Sequence, residues 1–184
     1  MHTELTTRLR EAFRWVDQGR KYDHLVSDPS GWWRDSWLLQ RLGPALADPF
    51  QGNAVTVVVG SESRGFLLGP LTAAALGAGF VEAFKNTNGG ELADQLISRN
   101  TPPDYRDRNL TLSVRARLLS PSDRVLIVDD WAETGGQLTA IARIIAEAGA
   151  EHVGTALLVD AMPSGTRRRL QARSLLRIED LNRK

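Results

Sequence analysis

The sequence predicts an α/β fold in which a parallel sheet is flanked by helices. Three short apolar runs, residues 54–59, 124–128 and 152–159, show little alternation with polar residues. Runs of this kind are typical of strands buried on both faces. Apolar residues recur at helical spacing across 134–149, between the last two runs. A strand, a helix and a strand in this order form a βαβ unit, which implies parallel strands with a right-handed crossover.

The remaining periodicity predicts further elements before and between these strands. An amphipathic N-terminal helix is expected because apolar residues recur at helical spacing: Leu5, Leu9, Ala12, Phe13 and Val16. Two more helices are expected over 36–47, ending before Asp48-Pro49, and over 66–76, ending at a glycine. Residues 80–84 are predicted to form another short strand.

Residues 86–123, which we call the flap, differ from the rest of the chain. They are polar, carry several charges and contain three prolines. A stretch of this kind within a compact domain is usually a functional flap or a disordered excursion. Leu110, Leu112 and Val114 alternate with polar residues, which predicts a short strand pair inside the segment.

The composition limits the function. A length of 184 residues favours one domain over 1–184. The 23 basic and 22 acidic residues nearly cancel, so attraction to nucleic acid or membrane is not expected, and the arginines at 167–169 are interpreted as a solvated helix face. The chain has no cysteine, which excludes disulfides, thiolate metal sites and cysteine nucleophiles and is compatible with a reducing cytoplasm. We find neither an N-terminal signal core nor an apolar run of roughly 18 residues, so no membrane association is expected.

The clearest chemical signal lies where the apolar run at 124–128 ends. Asp129 and Asp130 follow the strand directly, and a Thr-Gly-Gly turn at 134–136 begins the next helix. Ligands of an open parallel sheet bind at this edge, and amides around a helix N-terminus can hold a phosphate dianion. Two carboxylates beside a phosphate-binding turn would repel the phosphate, unless a sugar lies between them. Carboxylates accept hydrogen bonds from vicinal hydroxyls and can also hold a hydrated magnesium ion. The alternative is an ordinary strand-to-helix turn with aspartate caps.

This segment resembles the phosphoribosyl pyrophosphate signature of type I phosphoribosyltransferases: four apolar residues, two acids, three variable residues and Thr-Gly. The resemblance implies the parallel α/β fold of that family, with a small N-terminal hood over residues 1–50. It also implies that Asp129 and Asp130 hold the ribose hydroxyls of 5-phosphoribosyl-1-pyrophosphate and contact magnesium indirectly, through water or substrate. The residues implied to hold its 5′-phosphate are Ala132, Thr134, Gly135, Gly136 and Gln137.

A second motif follows the first predicted strand and resembles the pyrophosphate loop of adenine phosphoribosyltransferases, which commonly contains Glu-Ser-Arg-Gly-Phe. The resemblance implies that Glu62 and Ser63 bind the phosphoribosyl donor. It implies a catalytic role for Arg64, whose guanidinium fork would pair with the leaving pyrophosphate. Relatives often hold a non-proline cis peptide bond in this turn, so one is expected within 60–64. An ordinary helix start capped by Ser61 is the alternative.

Three further positions are assigned by the same resemblance. Trp33 and Arg34 sit where adenine phosphoribosyltransferases have Phe-Arg-Asp, whose aromatic ring packs on the base. The alternative is that Trp32, Trp33 and Trp37 are packing residues of the hood. Lys85 follows a strand where relatives carry a basic residue towards pyrophosphate, and a solvated lysine is the alternative.

Two departures from the adenine pattern concern the base. The flap has Tyr105 but no secure counterpart of the glutamate in the usual Tyr-x-Leu-Glu-Tyr-like stretch. Glu133 stands before Thr134, where adenine enzymes have alanine and hypoxanthine-guanine enzymes place an acid near N7 of the base. Glu133 is therefore a candidate general base. Otherwise it is an exposed loop glutamate, and the base is sought at Asp104 or Asp107.

The resemblance as a whole implies a magnesium-dependent enzyme that moves ribose 5-phosphate from 5-phosphoribosyl-1-pyrophosphate to a nucleobase, with release of pyrophosphate. The base is expected to be a purine of the adenine type, and the enzyme a cytoplasmic homodimer that does not bind nucleic acid. Two other classes stay open: a non-catalytic regulator that senses the phosphoribosyl donor, and a transferase for an unusual base.

Overall fold

The computed structural model describes residues 2–17, 19, 25–85, 94–102 and 110–181. Within them the strands are β1 (Arg14–Val16), β2 (Val26–Asp28), β3 (Val57–Ser61), β4 (Gly79–Lys85), β5 (Leu96–Asn100), β6 (Thr111–Arg115), β7 (Arg124–Ala132), β8 (Glu151–Asp160) and β9 (Ala172–Arg177). The α-helices are α1 (His2–Ala12), α2 (Ser30–Arg34), α3 (Ser36–Ala47), α4 (Gly65–Leu76), α5 (Gly136–Glu147) and α6 (Ser164–Arg169).

The main sheet has seven strands in the order β5-β6-β4-β3-β7-β8-β9, and β1 and β2 form a separate antiparallel hairpin. Five consecutive strands run parallel to one another: β4, β3, β7, β8 and β9. β6 runs antiparallel to both β4 and β5. The predicted α/β fold with a sheet flanked by helices is thus confirmed. The sheet is mixed because the strand pair predicted in the flap adds an antiparallel edge.

The inner strands are buried on both faces, which explains their continuous apolar runs. In β7, Leu126 and Val128 face one hydrophobic core, while Val125 and Ile127 face another on the opposite side. Helix α5 covers the second core with a buried stripe that consists of Leu138, Ala140, Ile141, Ile144 and Ile145. A strand covered on both sides needs apolar residues at every position and loses the alternation of a half-exposed strand.

The N-terminal segment shares a core with the sheet. Trp32 is fully buried, and its Nε1 donates a hydrogen bond to the main-chain oxygen of Leu9 at 2.7 Å. Both residues belong to the same core as Val58 and Leu126 of the sheet. The predicted continuation of the first helix to Val16 is wrong, because α1 ends at Ala12 and Val16 lies in β1.

Several boundaries differ from the prediction for local reasons. β3 begins at residue 57 rather than 54, because a 3₁₀ turn (Asp48–Asn53) ends in Ala54 with a left-handed φ of 48°. α5 begins at Gly136 rather than 134, since Gly135 has a φ of +75° and cannot continue a helix. β7 extends four residues beyond the predicted end, to Ala132. Strands β1, β2 and β9 were not predicted. The interpretation of the arginines at 167–169 as a solvated helix face is right for Arg168 and Arg169 on α6 but wrong for Arg167, which is partly buried and pairs with Asp160.

Part of the flap is regular structure, because β5 and β6 pair along their whole length inside it. The rest of the flap prediction falls partly on residues 86–93 and 103–109, which lie outside the described residues. Over the ranges that the structure describes, every helix is too short or too polar to span a membrane.

Candidate active site

The sequence motifs converge at one edge of the sheet. β3, β4, β7 and β8 are parallel, so their carboxyl ends lie together. The pyrophosphate-loop motif follows β3, Lys85 ends β4, and the two acids lie near the end of β7. This is the edge where open α/β sheets bind ligands.

Asp129 and Asp130 form a buried acidic pair, each only 7% exposed. The Ser61 hydroxyl donates to Asp129 Oδ2 at 2.7 Å, and the main-chain N–H of Asp130 donates to Asp129 Oδ1 at 2.9 Å. Burial and the charge of Asp130 raise the pKa of Asp129 to about 7, although the hydrogen bond from Ser61 opposes the rise. A neighbouring cation would relieve both penalties, so the pair is suited to hold one.

Arg64 connects the two motifs. Its Nη1 donates to Asp130 Oδ2 at 2.5 Å, in an ion pair whose carboxylate side is largely buried. Asp28 of the N-terminal hairpin has a lowered pKa, chiefly because Ser30 donates hydrogen bonds to it and to a smaller extent because Arg14 and Arg64 are near. The guanidinium of Arg64 therefore lies beside carboxylates, at a place where an incoming phosphate would compete with Asp130 for its donors.

The loop after β3 is held against its neighbours. A Cβ on Gly60 would meet the main-chain oxygen of Gly65 at 2.3 Å, so the turn closes only without a side chain there. The peptide bond between Glu62 and Ser63 is cis, which confirms that prediction. Glu62 Oε2 accepts a hydrogen bond from the main-chain N–H of Lys85 at 2.6 Å, which fixes the end of β4 beside the loop.

Residues 132–136, which we call the phosphate loop, lead from β7 into α5. Ala132 is buried, Glu133 and Thr134 are exposed, and the Thr134 hydroxyl accepts a hydrogen bond from Gly136 N at 3.3 Å. A Cβ on Gly135 would lie 2.7 Å from Met162 Sδ and 2.7 Å from Thr166 Cγ2. Glycine is thus required there by space as well as by φ.

The amides at the start of α5 complete this part of the site. Gly136 and Gln137 are the first residues of the helix, where main-chain N–H groups lack intrahelical acceptors. Pro102, at the end of the β5 side of the flap, comes within 3.5 Å of the position that a Gly136 Cβ would take. The flap hairpin therefore reaches the phosphate loop.

The tryptophans divide between the two interpretations. Trp32 is a packing residue. The guanidinium groups of Arg8 and Arg41 contact the ring of Trp37, at 4.2 and 4.0 Å from its centroid. Trp33 is only partly buried and meets Trp32 edge-on, with ring centroids 6.0 Å apart. Trp33 thus keeps an accessible part, which a stacking role requires.

The remaining candidates are placed as follows. Arg34 is exposed at the end of α2. Tyr105, Asp104 and Asp107 lie outside the described residues, so the flap alternatives for the general base stay predictions. Within the described ranges, no three or more acidic or histidine side chains gather into a metal cage. Two adjacent carboxylates fit a magnesium ion that takes its other ligands from substrate oxygens and water.

The sequence interpretation missed two residues at this edge. Trp131 stacks on Phe13 with ring centroids 6.0 Å apart and meets Trp15 edge-on, which ties the N-terminal segment to the strand that carries the acids. Asp160 ends β8 and is 1% exposed. The run Leu-Leu-Val-Asp that ends at Asp160 repeats the pattern Leu-Ile-Val-Asp before Asp130, and this signal was available in the sequence.

The comparisons with known proteins agree with this geometry. The family model for the phosphoribosyl transferase domain matches residues 44–183, which include both loops and the whole parallel sheet. The chain belongs to the phosphoribosyltransferase family. It is therefore similar to enzymes that use 5-phosphoribosyl-1-pyrophosphate, as the two motifs indicate.

Individual relatives show which branch of the family the chain is similar to. The chain is 30% identical to an adenine phosphoribosyltransferase of Vibrio cholerae over 175 residues, 95% of this chain and 94% of the relative. It is 35% identical to one of Shigella flexneri over 130 residues, 71% of this chain and 68% of the relative. Two solved structures share the fold with a TM-score of 0.79: the adenine phosphoribosyltransferase of Rhodothermus marinus, at 32% identity and 96% and 99% coverage, and the APRTase of Giardia lamblia complexed with 9-deazaadenine, at 25% identity and 94% and 97% coverage. This phosphoribosyltransferase thus lies in the adenine-type branch.

Proposed function

We propose that this phosphoribosyltransferase transfers ribose 5-phosphate from 5-phosphoribosyl-1-pyrophosphate to adenine or a closely similar purine. The observation that carries the proposal is the contact between the two motifs, in which Arg64 pairs with Asp130 and Ser61 donates to Asp129. This contact supports the proposal because it joins the residues that we propose for pyrophosphate, Arg64, and for ribose, Asp129 and Asp130, at the sheet edge from which the phosphate loop also starts. The adenine enzymes that match nearly the full chain support the choice of base.

The donor would be bound by different residues at its two ends. The amides of the phosphate loop and Gln137, with the Thr134 hydroxyl, would hold the 5′-phosphate, since unpaired N–H groups at a helix start favour an anion. Asp129 and Asp130 would accept hydrogen bonds from the ribose hydroxyls. Arg64 would leave Asp130 for the pyrophosphate, whose two charged groups offer it stronger hydrogen bonds. Ser63 and Lys85 would add donors at the same end, while Glu62 acts through the main chain of Lys85.

Magnesium, where bound, would supply positive charge to the pyrophosphate. It would also lower the free-energy cost of two neighbouring carboxylates that are buried in their charged form. Its place beside Asp129 and Asp130 is supported by the burial of two adjacent carboxylates, which raises the pKa of Asp129 even though Arg64 pairs with Asp130. Addition of EDTA to an active preparation should abolish pyrophosphate release, and excess magnesium should restore it. Full activity in EDTA would remove magnesium from the proposal.

The reaction would be a displacement at the anomeric carbon. The bond from this carbon to the pyrophosphate oxygen breaks, and its electron pair leaves with pyrophosphate. A lone pair on one imidazole nitrogen of the base forms the new bond. The proton that this ring carries, on the same nitrogen or on N7, must pass to an acceptor. Positioning of both ligands and stabilisation of charge on the leaving group would supply most of the rate. Glu133 is our candidate for the proton acceptor, because it is exposed at this edge directly after Ala132.

A panel of bases tests the function. Purified protein with donor and magnesium should release pyrophosphate and form a nucleotide with adenine, at a higher kcat/KM than with hypoxanthine or guanine. A reaction without base measures donor hydrolysis, and the double variant Asp129→Asn with Asp130→Asn is the site control. Preference for a 6-oxopurine would reassign the base and would support Glu133 near N7. Donor binding without turnover on any base would support a regulator that senses the donor.

A homodimer is the assembly that we propose. Helix α4 contains no charged residue, and its outer side exposes Leu67, Pro70 and Ala74, with Leu67 52% exposed. An apolar helix face of this kind is more stable when another surface covers it. Light scattering after size exclusion should give twice the chain mass, and Leu67→Glu should shift it towards one chain mass. A cytoplasmic location stays a prediction, to be checked by cell fractionation.

A further inference from the structure

Asp160 is a buried charged residue without a role in the proposed chemistry. Its Oδ2 accepts a hydrogen bond from Arg177 Nη1 at 2.5 Å and another from Arg167 Nε. Its Oδ1 accepts from the main-chain N–H of Met162 at 2.7 Å. The side chain is 1% exposed, so the carboxylate has exchanged water for these partners. Removal of a carboxylate and two arginines from water costs free energy that their attraction need not recover. A gain in stability is therefore a weak explanation for this cluster.

Residues next to Asp160 pack against the phosphate loop and support it. Asp160 lies opposite Ala132 in the register of β8 and β7, and the N–H of Ala161 donates to the oxygen of Ala132 at 2.8 Å. Gly135 rests on Met162 so closely that a Cβ would lie 2.7 Å from its sulfur. Both ends of the loop are therefore supported by residues 161 and 162.

Met162 is itself held on both sides of its backbone. Asp160 accepts from its N–H, and Arg167 Nη2 donates to its carbonyl oxygen at 2.6 Å. Arg167 thus bridges the buried carboxylate and the residue that supports Gly135. Arg177 differs, because it comes from β9 and its side chain pairs with Asp160 and with Glu179.

We propose that Asp160 and Arg167 are positioning residues for the phosphate loop. They fix the backbone of Met162, and Met162 with Ala161 fixes the amides that bind the 5′-phosphate. This inference rests on the proposed function, in which these amides hold the donor. Neither side chain need touch the substrate, because the loop carries the effect to it. The expected consequence is a specific loss in the use of the donor and not of the base.

Arg167→Gln is the informative variant, and Arg168→Gln is its matched control on the same helix. Arg168 is the next residue and is exposed, so the control removes the same charge without the bridge. The KM for the phosphoribosyl donor should rise on the order of tenfold in Arg167→Gln. This is less than the roughly 100-fold loss that a misplacement of about 1 Å can cause. Its KM for the base should stay within about twofold of the wild type. Arg167→Lys, which keeps a charge next to Asp160, should give an intermediate KM for the donor.

Hydrogen exchange gives a readout that does not depend on activity. The amides of residues 132–136 should exchange faster in Arg167→Gln than in the wild type and in Arg168→Gln. Unchanged exchange and unchanged KM for the donor would overturn the inference, and so would equal losses with both substrates. If the wild type shows no donor binding at all, the proposed function fails and the exchange rates alone decide the positioning role. If Arg167→Gln does not fold, Arg167→Lys supplies both measurements.

Discussion

The raised pKa of Asp129 predicts that the ligand-free protein loses stability as the pH rises through neutrality. An isolated aspartate has a pKa of 3.8, whereas burial and the neighbouring Asp130 raise that of Asp129 to about 7 in the folded protein. Between these values the folded state binds a proton that the unfolded state has lost. The stability that this proton contributes is fully present below pH 3.8 and disappears as the pH rises through about 7.

The size of the effect follows from the same two values. Each pH unit between them corresponds to about 1.4 kcal/mol, so the whole interval corresponds to at most about 4 kcal/mol. Asp129 is 7% exposed, so little of this is lost to solvent screening. His152 acts in the opposite direction near neutrality, because burial lowers its pKa. The informative quantity is therefore the difference between the wild type and a variant that lacks only the Asp129 carboxyl.

Urea unfolding in EDTA at several pH values between 5 and 8 measures this difference. Asp129→Asn keeps the shape of the side chain but cannot ionise, so its free energy of unfolding should fall less with pH than that of the wild type. Asp123→Asn is the matched control at the opposite edge of the sheet. Burial tends to raise the pKa of Asp123, but hydrogen bonds from Ser120 and Thr56 outweigh this and lower it, so its titration lies below the measured range. Parallel pH profiles of the wild type and Asp129→Asn would refute the reasoning.

Three further predictions concern the loops. Glu133→Gln should lower kcat on the best base by roughly 100-fold with little change in donor affinity, because removal of a general base costs about that much; full turnover in single-turnover kinetics would leave Glu133 as a loop residue. Gly135→Ala should lower the free energy of unfolding by about 2 kcal/mol through its left-handed φ and its contact with Met162, while Gly52→Ala, with open space around it, should change it little. Amides at 94–102 and 110–115 should exchange more slowly when donor and magnesium are added, because Pro102 lies beside Gly136; equal exchange with and without ligand would contradict a flap role.

The sequence by itself determined the inner strands β3, β4, β7 and β8, the helix α5 and the two loops that carry the chemistry. These depend on patterns within about a dozen neighbouring residues: a buried apolar run, two acids, and a glycine turn into a helix. The same locality explains what was missed. The helix Ser164–Arg169 has no apolar stripe. The strand Ala172–Arg177 has neither a continuous apolar run nor regular alternation, so neither element gives a periodic signal.

Only the tertiary structure decided how the site is connected. Ser61 and Asp129 are 68 positions apart in the chain, and Arg64 and Asp130 are 66 apart, so their contacts exist only because β3 and β7 are neighbours in the sheet. The pKa of Asp129 depends on burial, which no local pattern measures. Asp160 follows an apolar run as visibly as Asp129 does, yet its partners Arg167 and Arg177 come from α6 and β9, and no local pattern links them to it. A motif fixes which residues are available, whereas the packing of distant strands fixes their partners, their charge and their access to substrate.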